Sequence, residues 1–389
     1  MKKRKLQPAV WLRQNKLSCL VLLAALVLFA AVYWVVHPEE DDSPAPAEYV
    51  EYDTGTILEI LSDNTTQAPA DDGGWRGEQL MLVEVTSGQY KGETLQVYNY
   101  VGPLYGGPLE VGDSAVLTIS TYQDGTHTAT VFEYSRIVPI TIVVVLFLIA
   151  AVAVGGKTGA KSLVGLFFTL AVLFFLLIPG LKKGFSTLPT VFLCCTYIAV
   201  VTLTILGGIQ KKTICAMLGA VSGTLLAMVF GLVAQWLCKI DGLRMTDVEP
   251  LLQLRQAGSS IGIRGLLVGG IMISTLGAVL DVTMGLASSL CEVSNANPNL
   301  SRKELFRSGM NIGRDMVGTM TNTLILAFLG SSFTLILYFS TLNLSFHQFI
   351  SSSFFSIELI SAVAGSIGVI LSIPLTALIS ACAFKRTEK

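Results

Sequence analysis

Long apolar segments alternate with short polar ones along most of the chain, and their lengths match the thickness of a membrane. A transmembrane helix needs about 20 mostly apolar residues. The pattern predicts an α-helical polytopic membrane protein with about eight transmembrane helices, the last of which contains Pro374 and is long enough to tilt or bend. The predicted spans are residues 17–36, 137–154, 162–179, 188–207, 213–237, 262–290, 316–340 and 354–384.

A different pattern fills residues 37–136. Short runs rich in Val, Thr, Leu and Tyr are separated by Gly- and Asp-containing turn signals, which is typical of strands joined by tight turns. Five strands in so short a segment favour a small all-β barrel of OB or SH3-like type. Tyr98, Tyr100 and Tyr105 either form a ligand-facing aromatic surface or fill this barrel. The predicted strands are residues 49–61, 79–86, 93–98, 115–120 and 128–134.

Composition supports the membrane assignment and narrows the chemistry. The chain is 52% hydrophobic and 14% charged, whereas soluble domains carry roughly a quarter charged residues. A net charge of −1 gives no reason to expect nucleic acid as a partner. The seven cysteines lie in or beside apolar segments without metal-ligand spacing, and neither an HExxH motif nor a nucleophile–base pair is visible. We therefore expect no metal and no cofactor, and we do not expect an enzyme.

The basic residues predict the orientation of the spans. If the N-terminus lies in the cytoplasm, 17 of the 26 Lys and Arg residues fall in cytoplasmic segments, as the positive-inside rule requires. The first apolar segment ends in Tyr33 and Trp34, which favours a retained anchor over a cleaved signal peptide. The predicted order is a cytoplasmic basic tail (1–16), a first transmembrane helix (17–36), an extracytoplasmic β-rich domain (37–136), a seven-helix transmembrane domain (137–384) and a cytoplasmic tail (385–389).

Asp281 is the clearest ionisable residue inside a predicted span. Ionisable groups at membrane depth are expensive and usually mark a functional site. On a helix Asp281 shares one face with Ser274 and Ser288. The alternative is a buried carboxyl group that is protonated or hydrogen-bonded for packing. Glu358 lies near the start of the last span, where it is either interfacial or a second buried carboxylate.

The densest polar pattern enters the seventh span. Asn311, Asp315, Gly318 and Asn322 follow helical spacing along one face, with Thr319 beside them. Arg314 pairs with Asp281 only if the sixth and seventh spans face each other at the cytoplasmic end. The start of this segment also fits an amphipathic interfacial helix that begins at Ser301, capped through Glu304, but such a helix does not explain Asn322.

Glycines at helical spacing predict close contacts between helices. Small residues let helix backbones approach one another in a membrane. We therefore expect packing contacts at Gly219, Gly223, Gly277 and Gly318.

Several motifs together resemble one known family. They are residues 277–284 (GAVLDVTM), 307–327 (RSGMNIGRDMVGTMTNTLILA), 365–368 (GSIG) and 374–377 (PLTA). With these motifs the chain is similar to the YibE/F-like family of bacterial multi-pass membrane proteins, over a region that we expect to run from the β-rich domain to the last span. The resemblance implies a bacterial plasma membrane and a role in transport, but it implies no substrate.

Three functions fit the residues. The first is a transporter or permease component, with Asp281, Asn311, Arg314, Asp315, Thr319, Asn322 and Glu358 forming a substrate or ion pathway on the last three spans. The second is a membrane scaffold or sensor whose outer β domain binds a ligand or an envelope partner. The third is a membrane enzyme acting on lipid-linked substrates. The expected partners are the lipid bilayer, a small solute, proton or cation, and either a homo-oligomer or a second membrane subunit.

Overall fold

The computed structural model of this chain describes residues 16–37, 49–68, 74–122, 127–243, 245, 248–256, 258, 260–263, 265–342 and 344–384. Two compact units are present, one within residues 39–150 and the other within residues 1–38 and 151–389. The coarse fold class is confirmed, since long apolar helices make up most of the chain and a barrel-like β domain lies near the N-terminus. The predicted tail at 385–389 and residues 1–15 of the predicted tail at 1–16 lie outside the described residues.

The β domain is a five-stranded barrel with one short additional strand. The barrel closes because β1 pairs with both β3 and β5, while β4 and β6 form a parallel pair. Ile57, Met81 and Leu117 are among the large side chains that fill it. All five predicted strands are present, and only the three-residue β2 is new. The strands are β1 (Tyr49–Asp63), β2 (Thr66–Ala68), β3 (Gly74–Val85), β4 (Thr94–Val101), β5 (Ser114–Thr121) and β6 (His127–Tyr134).

Polar side chains fix the turn after β1. Asp63 accepts hydrogen bonds from the backbone and the hydroxyl of Thr65 and from the side chain of Gln79. The hydrogen bonds from Thr65, and then that from Gln79, lower the pKa of Asp63. Gln79 is buried and also accepts from the amide of Asn99 at 2.9 Å, so the buried side-chain amides of Gln79 and Asn99 are paired with each other.

Outside the barrel, the chain forms long helices joined by short segments. They are α1 (Lys16–Val36), α2 (Ile137–Val172), α3 (Ile178–Lys182), α4 (Thr187–Gly207), α5 (Lys211–Leu237), α6 (Glu249–Gln256), α7 (Leu266–Ala296), α8 (Arg302–Ser331), α9 (Phe333–Thr341), α10 (Phe346–Ser351) and α11 (Ser353–Phe384). Helices α1, α4, α5 and α11 lie within two residues of the predicted spans. The short helices α6 and α10 were not predicted.

The second and third predicted spans form one run in which two helices meet at a kink, without the loop that was expected between them. Helix α2 is followed directly by a π-helical turn at Leu173–Leu177 and then by α3. The run is broken only at Gly156, whose φ of 54° and ψ of −133° are not helical. Glycine tolerates this conformation because it has no Cβ.

The seventh predicted span, at 316–340, differs most from the structure. Helix α8 already begins at Arg302, because Ser301 and Glu304 form the capping box that the sequence suggested. The expected interfacial helix and the start of the span are therefore one helix. After Ser331 the chain bends by 61° into α9, a break that was not predicted.

The described helices meet the size requirement for membrane spans. Six are long and apolar enough to cross a membrane, or seven if the bent pair α8–α9 is one span. The run Ile137–Lys182 counts once among the six.

Hydrogen bonds between distant segments define the two ends of the helical unit. At one end the Ser18 hydroxyl accepts from the backbone N–H of Ile209, at 2.9 Å. At the other end the Thr187 hydroxyl donates to the carbonyl of Gly262, at 2.7 Å. We call these the Ser18 end and the Thr187 end. Helix α7 starts at the Thr187 end, so the turn between α7 and α8 and the start of α8 lie at the Ser18 end.

Candidate functional site

One face of α7 is built from small and polar residues and is open. Gly270, Ser274, Gly277 and Asp281 follow spacings of four, three and four residues, so they lie along one helical face, and all four are exposed. The opposite face packs into the core through residues such as Met272, Val279, Val282 and Leu286. Asp281 therefore points away from the core of the helical unit.

Helix α8 presents a matching open face. Asn311, Asp315, Gly318, Thr319 and Asn322 are all exposed, as is Arg314 at the edge of the same row. The buried side of α8 is made by Leu305, Gly309, Gly313 and Leu324.

Three contacts fix the register of α7 against α8. A Cβ placed on Gly309 would lie 3.0 Å from the Leu290 side chain, and one placed on Gly285 would lie 3.2 Å from Met316. Thr275 and Leu324 both approach Gly365. The two helices are therefore antiparallel. When a residue of α7 and a residue of α8 lie at the same depth, their two residue numbers add up to about 600. This register puts Asp281 level with Gly318 and Thr319, and Gly277 level with Asn322.

The two open faces form one surface, which we call the polar face: Gly270, Ser274, Gly277, Asp281, Asn311, Arg314, Asp315, Gly318, Thr319 and Asn322. Its composition differs from that of the other long helices. Among the described residues, no large hydrophobic side chain is exposed on α7, and none is exposed on α8 before Leu326. On α5, by contrast, Leu218, Leu225 and Val233 are exposed. A lipid-facing surface carries such apolar side chains, so the polar face does not resemble one.

The charged groups of the polar face have no partners within the described part of the chain. The side chains of Asp281, Arg314, Asp315 and Asn322 form no hydrogen bond or ion pair there. The pairing of Arg314 with Asp281 that the sequence left open is therefore absent within this chain. Thr319 is satisfied locally, since its hydroxyl lies 3.2 Å from the carbonyl oxygen of Met316.

The four glycines expected at helix contacts divide into two pairs. A Cβ on Gly219 would overlap with Thr376 Oγ1, and one on Gly223 would lie 2.7 Å from Ser372 Cβ, so both glycines sit where α5 meets α11. Around Gly277 and Gly318, by contrast, no described atom lies within 4 Å of such a Cβ. The expected contacts at Gly277 and Gly318 are absent within the described chain, because these glycines lie on the open polar face.

Glu358 does not lie on the polar face. It is half-buried and lines a separate pocket of about 90 Å³ between α8, α9 and α11, whose other residues include Phe328, Ser332 and Phe339. This pocket is next to the bend between α8 and α9. The expected site on three helices is therefore a surface on two, with Glu358 in a distinct apolar environment.

Helix α11 has a row of buried hydroxyl groups that was not predicted from the sequence. Ser372, Thr376 and Ser380 are fully buried, and Thr376 donates to the carbonyl of Ser372 at 2.7 Å. The signal was their spacing of four residues, which puts them on one helical face. This face packs against the glycines of α5 and not into a cavity.

The barrel carries a second candidate surface. Tyr98, Tyr100 and Tyr105 are exposed, and their ring centroids are separated by 6.3 Å and then 6.4 Å. They therefore do not fill the barrel. A cleft of about 220 Å³ begins at Tyr105 and includes Glu133 and Arg136, which contact each other.

Within the residues that the structure describes, no group of three or more His, Cys, Asp or Glu side chains is placed to hold a metal ion. No curated protein and no solved structure matches the chain. The family model of the YibE/F-like proteins matches residues 143–386. This range includes the polar face but not the barrel, so the match is narrower than the resemblance expected from the sequence. Because the matched range is more than half of its length, the chain belongs to the YibE/F-like protein family.

Proposed function

We propose that this protein is a membrane transporter or permease component of the bacterial plasma membrane, and that the polar face is its path for a small solute, proton or cation. The observation that carries the proposal is the composition of this face on two long helices. A charged side chain at the centre of a bilayer costs about 2.5–3.5 kcal/mol on insertion scales. Such groups are kept where they meet water or a transported species.

Asp281 has the central role in this proposal. It lies in the middle of α7, level with Gly318 and Thr319, and its carboxylate has no partner in the described chain. A carboxylate exposed on this face is accessible to a proton or a cation that moves along it. Asp315 and Asn322 supply further oxygen ligands along the same face.

The proposed topology has eight spans. The run Ile137–Lys182 contains 46 residues, which as one straight helix would measure about 69 Å, more than twice the roughly 30 Å of a hydrocarbon core. We therefore assign two spans to it, meeting at Gly156. With α1, α4, α5, α7, the bent pair α8–α9 and α11, this gives eight.

The distribution of Lys and Arg residues supports the placement of the Ser18 end in the cytoplasm. Helix α5 begins there with Lys211 and Lys212, and α8 begins there with Arg302, Lys303 and Arg307. Lys182, Lys183, Lys239 and Arg255 belong to the segments of the Thr187 end. By the positive-inside rule, both termini are then cytoplasmic and residues 37–136 are extracytoplasmic.

Flux through the purified protein tests the proposal. Liposomes that contain the wild-type chain and a trapped pH-sensitive dye should dissipate an imposed pH gradient faster than liposomes without protein, and Na⁺ or K⁺ gradients are tested in the same way. If the folded protein dissipates none of these gradients and moves no solute from a panel of small metabolites, the transport proposal is wrong.

The aromatic row of the barrel favours a second candidate, a membrane scaffold or sensor whose outer domain binds a ligand. A five-stranded barrel with this closure fits the OB type, which binds ligands on the face of its second and third strands. In this barrel those strands are β3 and β4, and Tyr98 and Tyr100 lie on the exposed face of β4. Exposed aromatic rings bind ligands by stacking.

A variant that lacks residues 48–134 separates the two candidates. Under the transport proposal it should keep most of the wild-type flux, because the polar face lies entirely on α7 and α8. The measurement is dye-reported flux in liposomes, with matched amounts of monodisperse protein. Loss of all flux in the deletion variant, together with full flux in an Asp281→Asn variant, would favour the scaffold or sensor.

A further inference from the structure

We propose that a second copy of this chain packs against the polar face, so that two copies enclose the polar path between them. This inference goes beyond transport itself. It rests only on the part of the proposed function that places α7 and α8 in the membrane.

The polar face needs a cover other than lipid. Its exposed residues are glycines, hydroxyl and amide side chains, two carboxylates and one guanidinium. Exposed positions on α5 carry Leu218, Leu225 and Leu232, which suit lipid. Within one molecule, then, α5 has a surface for lipid, whereas α7 and most of α8 do not.

The charges on this face are complementary to one another. Asp281 is negative and Arg314 is positive, both are exposed, and neither has a partner in the described chain. In the register of α7 against α8, Arg314 lies about one helical turn from the level of Asp281, toward the Ser18 end, which is within reach of a long arginine side chain.

A two-fold axis along the membrane normal makes the face self-complementary. Under such symmetry, if one residue contacts another across the interface, the reverse contact is also made. Residues at equal depth face each other, so Asp281 of each copy meets α8 of the other copy near Arg314. Two ion pairs then form across the interface, between side chains that have no partner among the described residues of their own chain.

The glycines of the polar face allow the approach that this requires. Gly277 and Gly318 have open space where a Cβ would be, and small residues at membrane interfaces let backbones come close. Their neighbours Ser274, Thr319 and Asn322 supply groups that hydrogen-bond across the interface or to water between the copies. The same surface therefore serves for both contact and conduction.

Photo-crosslinking of the full chain in its native membrane tests this proposal. A benzophenone amino acid replaces Ser274 on the polar face or, as a matched control, Leu225 on the exposed surface of α5, and two differently tagged copies are co-expressed. We expect a product that carries both tags from position 274 and none from position 225. Equal yields at both positions, or products at 274 that contain only other proteins, would overturn the proposal.

Charge reversal gives a second readout that does not depend on the crosslinker. Asp281→Arg alone and Arg314→Asp alone should each lose co-purification of the two tags. One tagged copy with Asp281→Arg and the other with Arg314→Asp should restore it, because each contact then joins opposite charges. Failure of this mixed pair, when both chains are inserted and monodisperse, would contradict the two-fold arrangement.

The outcomes separate this inference from the transport proposal. A dimer without flux refutes transport and leaves the dimer established. If liposomes that each contain a single copy of the protein show the full wild-type flux, the dimer is refuted and transport is established.

Discussion

Replacing Asp281 with Asn is expected to lower proton or cation flux by about tenfold or more, since ionisable groups inside a membrane commonly carry the proton or ion that a transporter moves. The substitution keeps the shape of the side chain and removes its charge and its ability to take up a proton. Asp281 is exposed on the polar face and has no partner in the described chain, so little stability should be lost. The measurement is the initial rate of dye-reported flux in liposomes.

Glu292→Gln is the matched control for this substitution. Glu292 is also exposed and also lies on α7, but it is in the last turns of the helix, close to the Ser18 end. We expect wild-type flux from Glu292→Gln. Wild-type flux from Asp281→Asn, in protein that elutes as the wild type does, would remove Asp281 from the path.

Replacing Gly223 with Leu should prevent the helical unit from packing correctly. A Cβ at position 223 would lie 2.7 Å from the Cβ of Ser372 and 3.4 Å from the carbonyl oxygen of Gly368. Rotation of the Ser372 side chain does not move its Cβ, so α5 and α11 would have to separate. Overpacking typically lowers the free energy of unfolding by about 1–3 kcal/mol. Because this contact has little room to adjust, we expect a loss of about 3 kcal/mol or more. The measurement is the melting temperature of purified protein in detergent.

Gly277→Leu is the control for that experiment. No described atom lies within 4 Å of a Cβ at position 277, so the single chain should fold and melt as the wild type does. The larger side chain should, however, prevent two copies from packing together at the polar face. A melting temperature for Gly223→Leu equal to that of the wild type would show that α5 and α11 do not meet closely.

Much of the secondary structure follows from local patterns. The apolar run at 188–207 is bounded by polar residues and becomes α4 almost without change, because its length and composition leave few alternatives. The barrel strands were predicted because runs rich in Val, Thr, Leu and Tyr are separated by turn signals. In the structure β5 shows the alternating burial of such a strand. The capping box at Ser301 was also readable from spacing alone.

The bend after Ser331 was not predicted, although it follows Gly330 and Ser331, a Gly–Ser pair of the kind at which sharp kinks occur. The location of Glu358 was not predictable from local spacing, because its pocket is formed by α8, α9 and α11 together. The sequence spacing correctly grouped Asn311, Asp315 and Asn322 on one helical face. Spacing does not determine whether such a face is enclosed by other helices, since that depends on the tertiary arrangement of α7, α8 and α11.

The partners of Gly219 and Gly223 illustrate the same limit. Their spacing of four residues predicted a close contact, but the contacting helix, α11, lies far along the chain. Local sequence contains no signal for such a pairing. The small buried residues Ser372 and Thr376 become recognisable as the other half of the contact only when the two helices are seen together.

The most direct test of the account is whether the polar face meets water inside the membrane. Single cysteines replace Gly277 on the polar face or Leu225 on the apolar surface of α5, in a chain whose seven native cysteines are changed to serine. Intact membranes are then treated with a charged, water-soluble thiol reagent. We predict that a cysteine at position 277 reacts and that one at position 225 does not. Protection of both positions from this reagent, with reaction only toward a lipid-soluble maleimide, would contradict the account.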